Sequence, residues 1–313
     1  MTEGSVRIRQ PRKQQGSVLF DAPGPRARWL NRVLGVVTAI VVLGVVGLFV
    51  WQLDRKGQWA WALWEPFTEA KVWQSFILPG LKNTLSAAVV AAALALGFGV
   101  IFGFGRLSER RWIRMPCGAA VEFFRAIPVL IMIFFAQAGP PVIADAFNRS
   151  IEPISAFEAV VIGLTLYNGS VFVEIFRAGI RAIPAGQAEA GYAIGLRKSA
   201  VMLRILLPQA VTTMMPVIVS QVVVLLKDSA LGYVIAYEDL LNAGFVQIKS
   251  NFNNLIPAAI VITGIYVAIN LTVSYLAGWL ERRSRRSRKS AAVPLPADAS
   301  ALLATPFSKG PSI

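Results

Sequence analysis

Histidine is absent from this sequence, cysteine occurs once, and only 15% of the 313 residues are charged. Without histidine the chain lacks the commonest metal ligand and the usual proton relay at neutral pH. A lone cysteine, Cys117, leaves no internal disulfide framework and reads as a small packing residue. The charge content falls well under that of soluble domains. No Gly-x-x-x-x-Gly-Lys-Ser/Thr phosphate loop occurs, which argues against the chain being an ATPase itself.

What is present is apolar length: 55% hydrophobic residues and a mean hydropathy of +0.58. Six segments are long enough to cross a bilayer: Val33–Leu53, Asn83–Gly105, Pro116–Ala138, Phe157–Phe176, Ile205–Leu226 and Leu255–Leu280. The first is too long for a signal-peptide core and ends in no small-x-small cleavage site, so it reads as a retained helix. The expectation is an all-α, polytopic membrane helical bundle with six transmembrane helices. Glycines in Gly97–Gly105 let helices approach closely, and Gly139-Pro140-Pro141 is expected to end the third helix on the outer side.

Lys and Arg number 31 against 17 Asp and Glu, a formal charge of +14. Such an excess suits nucleic acid or the anionic inner face of a membrane, and its placement decides between them. Arg7, Arg9, Arg12, Lys13, Arg26, Arg28 and Arg32 precede the first span; Arg106, Arg110, Arg111 and Arg114 follow the second. Arg177, Arg181, Arg197, Lys198 and Arg204 follow the fourth, and a basic run begins at Arg282. Every rich connection falls on one side, so both termini are cytoplasmic and no nucleic-acid partner is expected. Residues 1–30 and 284–313 read as disordered tails, 31–53 as the first helix, 54–78 as an extracytoplasmic connection and 79–283 as the main transmembrane domain.

Between the fourth and fifth spans lies AEAGYAIGLRKSAVMLRILLPQ, Ala188 to Gln209. Small residues at Ala188, Ala190 and Ala193 permit close helix contact, and Gly195 turns the chain between two short helices. Met202, Leu203, Leu206 and Leu207 are placed to seat the second of these, and Pro208 suits the first turn of the next membrane helix. From spacing alone the unit is either a part that another protein pushes on or a loop that joins two spans.

The spacing of Glu189, Gly195, Ile205, Leu207 and Pro208 resembles the cytoplasmic loop signature of the membrane subunits of bacterial ATP-binding-cassette importers, with Gly191 where alanine is usual. Further stretches are similar to the polar amino-acid group of these permeases, which handles glutamate, glutamine, histidine, arginine and related solutes. They are Asn83-Thr84-Leu85, Glu122 to Pro128, Glu174 to Ile180, Gly186-Gln187, Leu207 to Ala210 and Leu226 to Ser229. Arg125-Ala126-Ile127-Pro128 stands where that group has Arg-Gly-Thr-Pro. The resemblance covers roughly 81–283 and implies a five-helix type I importer core, to which the first helix is an addition.

It further implies a coupling loop at about 178–208, with Glu189, Ala190, Gly191, Gly195, Leu196, Ile205, Leu207 and Pro208 engaging an ATPase. The implied partners are two cytoplasmic ABC ATPase subunits, a second permease subunit, identical or homologous, and an extracytoplasmic amino-acid-binding protein, in a bacterial plasma membrane. ATP and Mg then belong to the partner, and this chain needs no cofactor, metal or catalytic residue of its own. Glutamate or glutamine is the favoured cargo.

Polar groups at membrane depth need a partner or a water-filled path. Glu122 with Arg125, and Glu174 with Arg177, have the three-residue spacing of a pair on one helix face. Arg125 and Pro128 are alternatively part of a solute path, with Pro128 breaking the helix and freeing a carbonyl. Tyr167, Asn168, Ser220 and Gln221 either meet solute or bond between helices; Thr263, Tyr266 and Asn270 are less favoured. Lys227 and Asp228 either tie down the outer end of the fifth helix or hold an amino acid. Glu238 and Asp239 lie in an outer stretch that reads as a short re-entrant or surface helix. The alternative function is a secondary transporter or channel without ATPase coupling; a membrane scaffold is a third possibility.

Overall fold

The computed structural model describes residues 24–289, and all regular structure there is helical. The expected tails lie mostly outside these residues, although 25–30 and 284–289 are helical. Among the described residues, six helical stretches are long and apolar enough to cross a membrane.

The chain divides into two compact units, residues 1–60 and 61–313. In the first, α1 (Pro25–Arg55) starts with proline in its first turn, where a missing N–H leaves no acceptor unmatched. Near its C-terminal end the Arg55 guanidinium stacks 4.5 Å over the Trp51 ring.

The second unit opens with α2 (Trp61–Trp64), a 3₁₀ turn (Glu65–Thr68) and α3 (Ala70–Val72). A π-helical turn, Trp73–Ile77, then leads without a break into α4 (Leu78–Arg106). The second crossing is thus already helical from Ala70, earlier than the expected Asn83. In the π turn the Leu78 N–H reaches back five residues to the Trp73 carbonyl. This widened turn comes immediately before Pro79, whose ring would crowd a regular turn.

The third crossing differs from expectation. Residues 111–126 form a separate helix, α5 (Arg111–Ala126), which ends where Ile127 and Pro128 turn extended, with ψ of 129° and 135°. The crossing helix is α6 (Val129–Ala146), not Pro116–Ala138. Pro128 breaks the helix as anticipated, because the residue before a proline is pushed out of the helical region. Gly139-Pro140-Pro141 does not end it: both prolines lie inside α6. Prolines are tolerated in membrane helices where neighbouring groups make up for the lost bonds.

α7 (Ala156–Arg181) begins with a capping box, the Ser155 hydroxyl accepting from the Glu158 N–H at 3.2 Å and the Glu158 carboxylate from the Ser155 N–H at 3.0 Å. It packs along α4 through a seam of small residues spaced by four, Ala87, Ala91, Ala95, Gly99 and Gly103, all buried. A Cβ on Gly99 would stand 2.7 Å from Phe172 Cβ, and one on Gly169 2.7 Å from Phe98 Cδ1. The Gly97–Gly105 stretch therefore does bring helices together, since dispersion contact drives association where lipid is as apolar as the side chains. Cys117 fits the same way, its Sγ filling the space over Gly105.

After α8 (Ala185–Ala193) come α9 (Lys198–Val201), a second π turn (Met202–Leu206) and α10 (Leu207–Asp228). Residues 229–252 fold inward as a 3₁₀ turn, α11 (Leu240–Asn242), a third π turn (Ala243–Ile248) and α12 (Lys249–Phe252). α13 (Leu255–Lys289) completes the unit.

The stretch around Glu238 and Asp239 is woven into the bundle. Leu240, Ala243 and Ile248 are buried with Val72, Ile77 and Ile262, and the Leu240 N–H donates to Thr84 Oγ1 at 3.0 Å. Asp239 is fully buried and caps α11, accepting from the Asn242 N–H at 2.8 Å. Burial pushes its carboxyl up to about 6. The folded chain therefore binds this proton more tightly than the unfolded one, and stability rises as pH falls through 6 toward the unfolded value. The swing is about 3 kcal/mol. The gap in melting temperature between wild type and Asp239→Asn, which keeps the cap, should shift in favour of the wild type from about pH 7.5 down to about pH 5. Parallel pH profiles for the two proteins would remove the assignment.

Candidate functional site

The segment between the fourth and fifth crossings is a closed unit. α8 ends in a Schellman motif: Gly195 takes φ +82°, its N–H donates to the Tyr192 carbonyl at 2.9 Å, and the Leu196 N–H donates to the Gly191 carbonyl at 3.1 Å. A residue with a Cβ is strained at that φ. The expected second short helix is not separate: α9 continues through the Met202–Leu206 π turn into α10. Here the Leu207 N–H bonds the Met202 carbonyl, and Pro208 follows directly. The run from Lys198 to Asp228 is thus one helical rod.

Gly191 seats α8 on this rod. It is buried, and a Cβ there would come within 2.8 Å of Ile205 Cδ1 and 2.9 Å of Val201 Cγ2. Gln209 adds a polar tie, donating to the Ile205 carbonyl at 2.9 Å and to Gln187 Oε1 at 3.4 Å. Glu189, Ala190, Tyr192, Ala193 and Ile194 remain exposed, Ile194 by 76%. At the foot of the rod Lys198 pairs with Glu109 of the connection after α4, and this bond holds the Glu109 carboxyl below the usual carboxylate range.

Alanine in place of a helical glycine ordinarily gains about 1 kcal/mol. At position 191 the Ile205 methyl can swing aside, but buried Val201 is β-branched and stiff. Gly191→Ala should therefore lower the melting temperature of the purified chain, and should raise it in a Val201→Ala background. A stabilised single variant would show that the seat is loose.

Below α8 an alternating row of charges links three helices. Arg106, at the end of α4, reaches Glu122 on α5 at 2.7 Å and also Glu174 on α7. The two expected pairs extend the row, Arg125 to Glu122 at 3.0 Å and Arg177 to Glu174 at 2.5 Å. Hydrogen bonding from Arg106 and the charge of Arg125 hold the Glu122 carboxyl below its ordinary range. Arg125 is thus engaged in the row, while Pro128 is exposed at the α5–α6 break.

The remaining candidate residues separate. Asn168 is buried and binds two ways, Nδ2 to the Leu164 carbonyl at 3.1 Å and Oδ1 from Gln221 at 2.8 Å, tying α7 to α10. Tyr167 is half-buried next to it, and Ser220 donates to the Pro216 carbonyl of its own helix at 2.9 Å. Lys227 and Asp228 turn apart: Asp228 lies beside Asn168, whereas Lys227 faces α13. There, Lys227, Ala230 and Leu241 line an open groove of about 490 Å³ with one stripe of α13, including Thr263, Tyr266, Asn270 and Ser274. The sequence signal for this stripe was its three- and four-residue spacing. A second groove of about 280 Å³, walled by Phe104, Phe176, Met214 and other apolar side chains, offers a polar solute nothing to bond.

Six membrane helices, a polar groove and a rigid exposed helix joined to a crossing rod define the membrane subunit of a transporter, with no group of residues placed to hold a metal among those described. The chain belongs to the family described as binding-protein-dependent transport system inner membrane component, which matches residues 95–286. It is 42% identical over 246 residues, 78% of this chain and 88% of the other, to the glutamate transport system permease protein GluD of Corynebacterium glutamicum. It is 32% identical over 211 residues, 67% and 94%, to the probable glutamine ABC transporter permease protein GlnP of Bacillus subtilis. It is also 31% identical over 209 residues, 66% and 92%, to the arginine transport system permease protein ArtQ of the same organism. Among solved structures it is similar to a chain titled "Crystal structure of an amino acid ABC transporter with histidines". The TM-score is 0.60 at 28% identity, covering 66% of this chain and 93% of that one. The chain is accordingly a non-catalytic, multi-pass permease subunit of a bacterial inner-membrane ABC importer for amino acids.

Proposed function

We propose that this permease carries glutamate or glutamine. It works as one of a pair, driven by two cytoplasmic ATPase subunits that bind the ATP and Mg, and supplied by an extracytoplasmic amino-acid-binding protein. The 42% identity to a protein named for glutamate transport supports the cargo. The exposed α8, locked to the rod that becomes α10, supports the drive and is the observation that carries the reading.

In this scheme Glu189 and Ala190 meet the ATPase, Gly191 and Ile205 seat α8, Gly195 and Leu196 close it, and Leu207 and Pro208 join the rod to the membrane. Closure of the ATPase pair on ATP moves α8, and because α8 is bolted to α10, that motion reaches the crossing helices without being lost in a flexible loop. Hydrolysis resets the arrangement. The α1 helix is an addition to the five-crossing core.

The test is uptake of radiolabelled glutamate and glutamine by vesicles holding the chain with its ATPase, ATP inside and binding protein outside. ATP-dependent accumulation is the expected result. Accumulation that persists with a hydrolysis-deficient ATPase would favour the transporter or channel alternative.

A further inference from the structure

Two recesses meet where α4 and α7 end and α10 begins. The apolar one, about 280 Å³, runs between these three helices from Leu107 and Leu207 at one end to Val100 and Ile218 at the other. Along α10 that is about 16 Å, close to the half-thickness of a bilayer's hydrocarbon. The second is an open recess of about 330 Å³ between the α4–α5 connection and the foot of the rod, lined by Ser108, Glu109, Arg110, Lys198 and Ser199 among others. Phe104 and Leu107 line both, so the two form one continuous trough.

The chemistry of the trough changes along its length. Its deep part presents no polar side chain. Its shallow part sets two cations against one carboxylate. Lys198 is paired with Glu109, while Arg110 has no ion pair with any described residue. The Lys198 and Glu109 side chains are 57% and 73% exposed, and so exposed a pair is weak enough to be shared with another anion. Ser108 Oγ accepts from the Arg110 N–H at 3.3 Å, which leaves its own proton to donate. Arg111 and Arg114 follow on the next turn, both exposed, with the Trp112 ring 92% exposed between them. A bared indole suits the headgroup layer, and this gathering of arginine and lysine marks the cytoplasmic end, whose leaflet carries the anionic lipids.

We propose that the trough holds one anionic phospholipid of the inner leaflet. An acyl chain lies along α4, α7 and α10, and the phosphate rests on Arg110 and Lys198 with the Ser108 and Ser199 hydroxyls beside it. Basic pockets between crossing helices on this side of a membrane are suited to such headgroups. A free phosphate would occupy only the shallow part and leave the apolar part empty. A zwitterionic lipid would fill the apolar part but gain little from the net positive charge. A partner's α-helix, about 10 Å across, is too wide to lie within it. Because the walls are the end of α4 and the foot of the rod, the lipid joins the two, and binding it raises the melting temperature of the chain.

The test needs neither cargo nor ATPase. The purified full chain in detergent is titrated with dioleoyl phosphatidylglycerol, dioleoyl phosphatidylcholine or inorganic phosphate. Native mass spectrometry counts what stays bound, and thermal unfolding reports folding. Expected is one tightly held phosphatidylglycerol, with phosphatidylcholine about fivefold weaker or more and phosphate not retained. Arg110→Gln should weaken phosphatidylglycerol about fivefold and leave phosphatidylcholine unchanged. Glu109→Gln frees Lys198 and should tighten phosphatidylglycerol by a similar factor. Val211→Phe narrows the apolar part with every charge intact and should weaken both lipids. Equal retention of the two lipids overturns the inference, as does phosphatidylglycerol binding that Arg110→Gln leaves unmoved. Phosphate held as tightly as phosphatidylglycerol overturns it by making the site one for a simple anion. A dimer of the chain that sheds the lipid overturns it as well, since a second copy then fills the trough. Should Val211→Phe fail to fold, the opposite shifts in Arg110→Gln and Glu109→Gln, both at exposed positions, decide.

Discussion

With Glu189 replaced by lysine, vesicles holding the assembled importer should take up glutamate at about a tenth of the wild-type rate or less. Yet the chain should insert and melt as before. Glu189 lies on the exposed side of α8 and makes no side-chain hydrogen bond or ion pair with the other described residues, so the substitution removes no such contact. Its consequence is felt only at a surface supplied by another protein. Reversing a charge at the centre of a protein interface places like charges together and loses the partner's hydrogen bond, and both effects raise the dissociation rate. The readout that separates coupling from folding is ATP hydrolysis in response to the loaded binding protein. In the variant that response should disappear while the melting temperature of the chain stays put. Gly195→Ala should act in the same direction more weakly, because it strains the turn that closes α8 by about 1 kcal/mol. Normal uptake in both variants would mean that α8 is not the handle.

Legibility in the sequence followed the range of the interactions. Five of the six crossings stand where unbroken apolar runs put them, because burial in lipid is a property of composition over about twenty residues. The third failed for the same reason. Hydropathy runs on from Pro116 into α6, and cannot register that Pro128 splits the run or that α5 is held beside the charge row. Gly139-Pro140-Pro141 misled because its rule comes from water, where freed backbone groups find solvent; here the helix passes through them.

The turn at Gly195 and the helix entry at Pro208 were readable because glycine and proline state backbone geometry directly. The glycine at 191 could be seen as a departure, but not that Val201 and Ile205 require it. Lys227 and Asp228 were read as a unit, whereas neighbours on a helix point about 100° apart. One faces α13 and the other leans to α7. Thr263, Tyr266 and Asn270 of α13 ranked below the other candidates because they are neutral, and neutral polar groups in a membrane helix serve helix contacts as often as solutes.

Arg106 is the residue that no local pattern could have revealed, and its removal carries the largest expected cost in stability. Its partners are 16 and 68 residues away in sequence, on two other helices. Its side chain is 16% exposed and that of Glu174 18%, so the pair is largely withdrawn from water; Glu122 is 51% exposed. Arg106→Met takes the central cation out of the row and leaves Glu174 with Arg177 alone among the described residues. Leaving one oxygen of this mostly buried carboxylate unmatched costs about 2 kcal/mol. Glu122 contributes less, since water reaches it and Arg125 remains beside it.

Two companion variants make the account specific. Arg106→Lys should recover only part of the loss, since a point charge cannot serve carboxylates on two helices as a planar fork does. Glu174→Gln should cost less in the Arg106→Met background than in the wild type, because one of the two ion pairs it removes is already gone. The measurement is thermal unfolding of the purified chain in detergent. If Arg106→Met melts with the wild type, the row is a set of independent surface pairs; if it falls and Glu174→Gln then costs little more, α4, α5 and α7 are held together through one guanidinium.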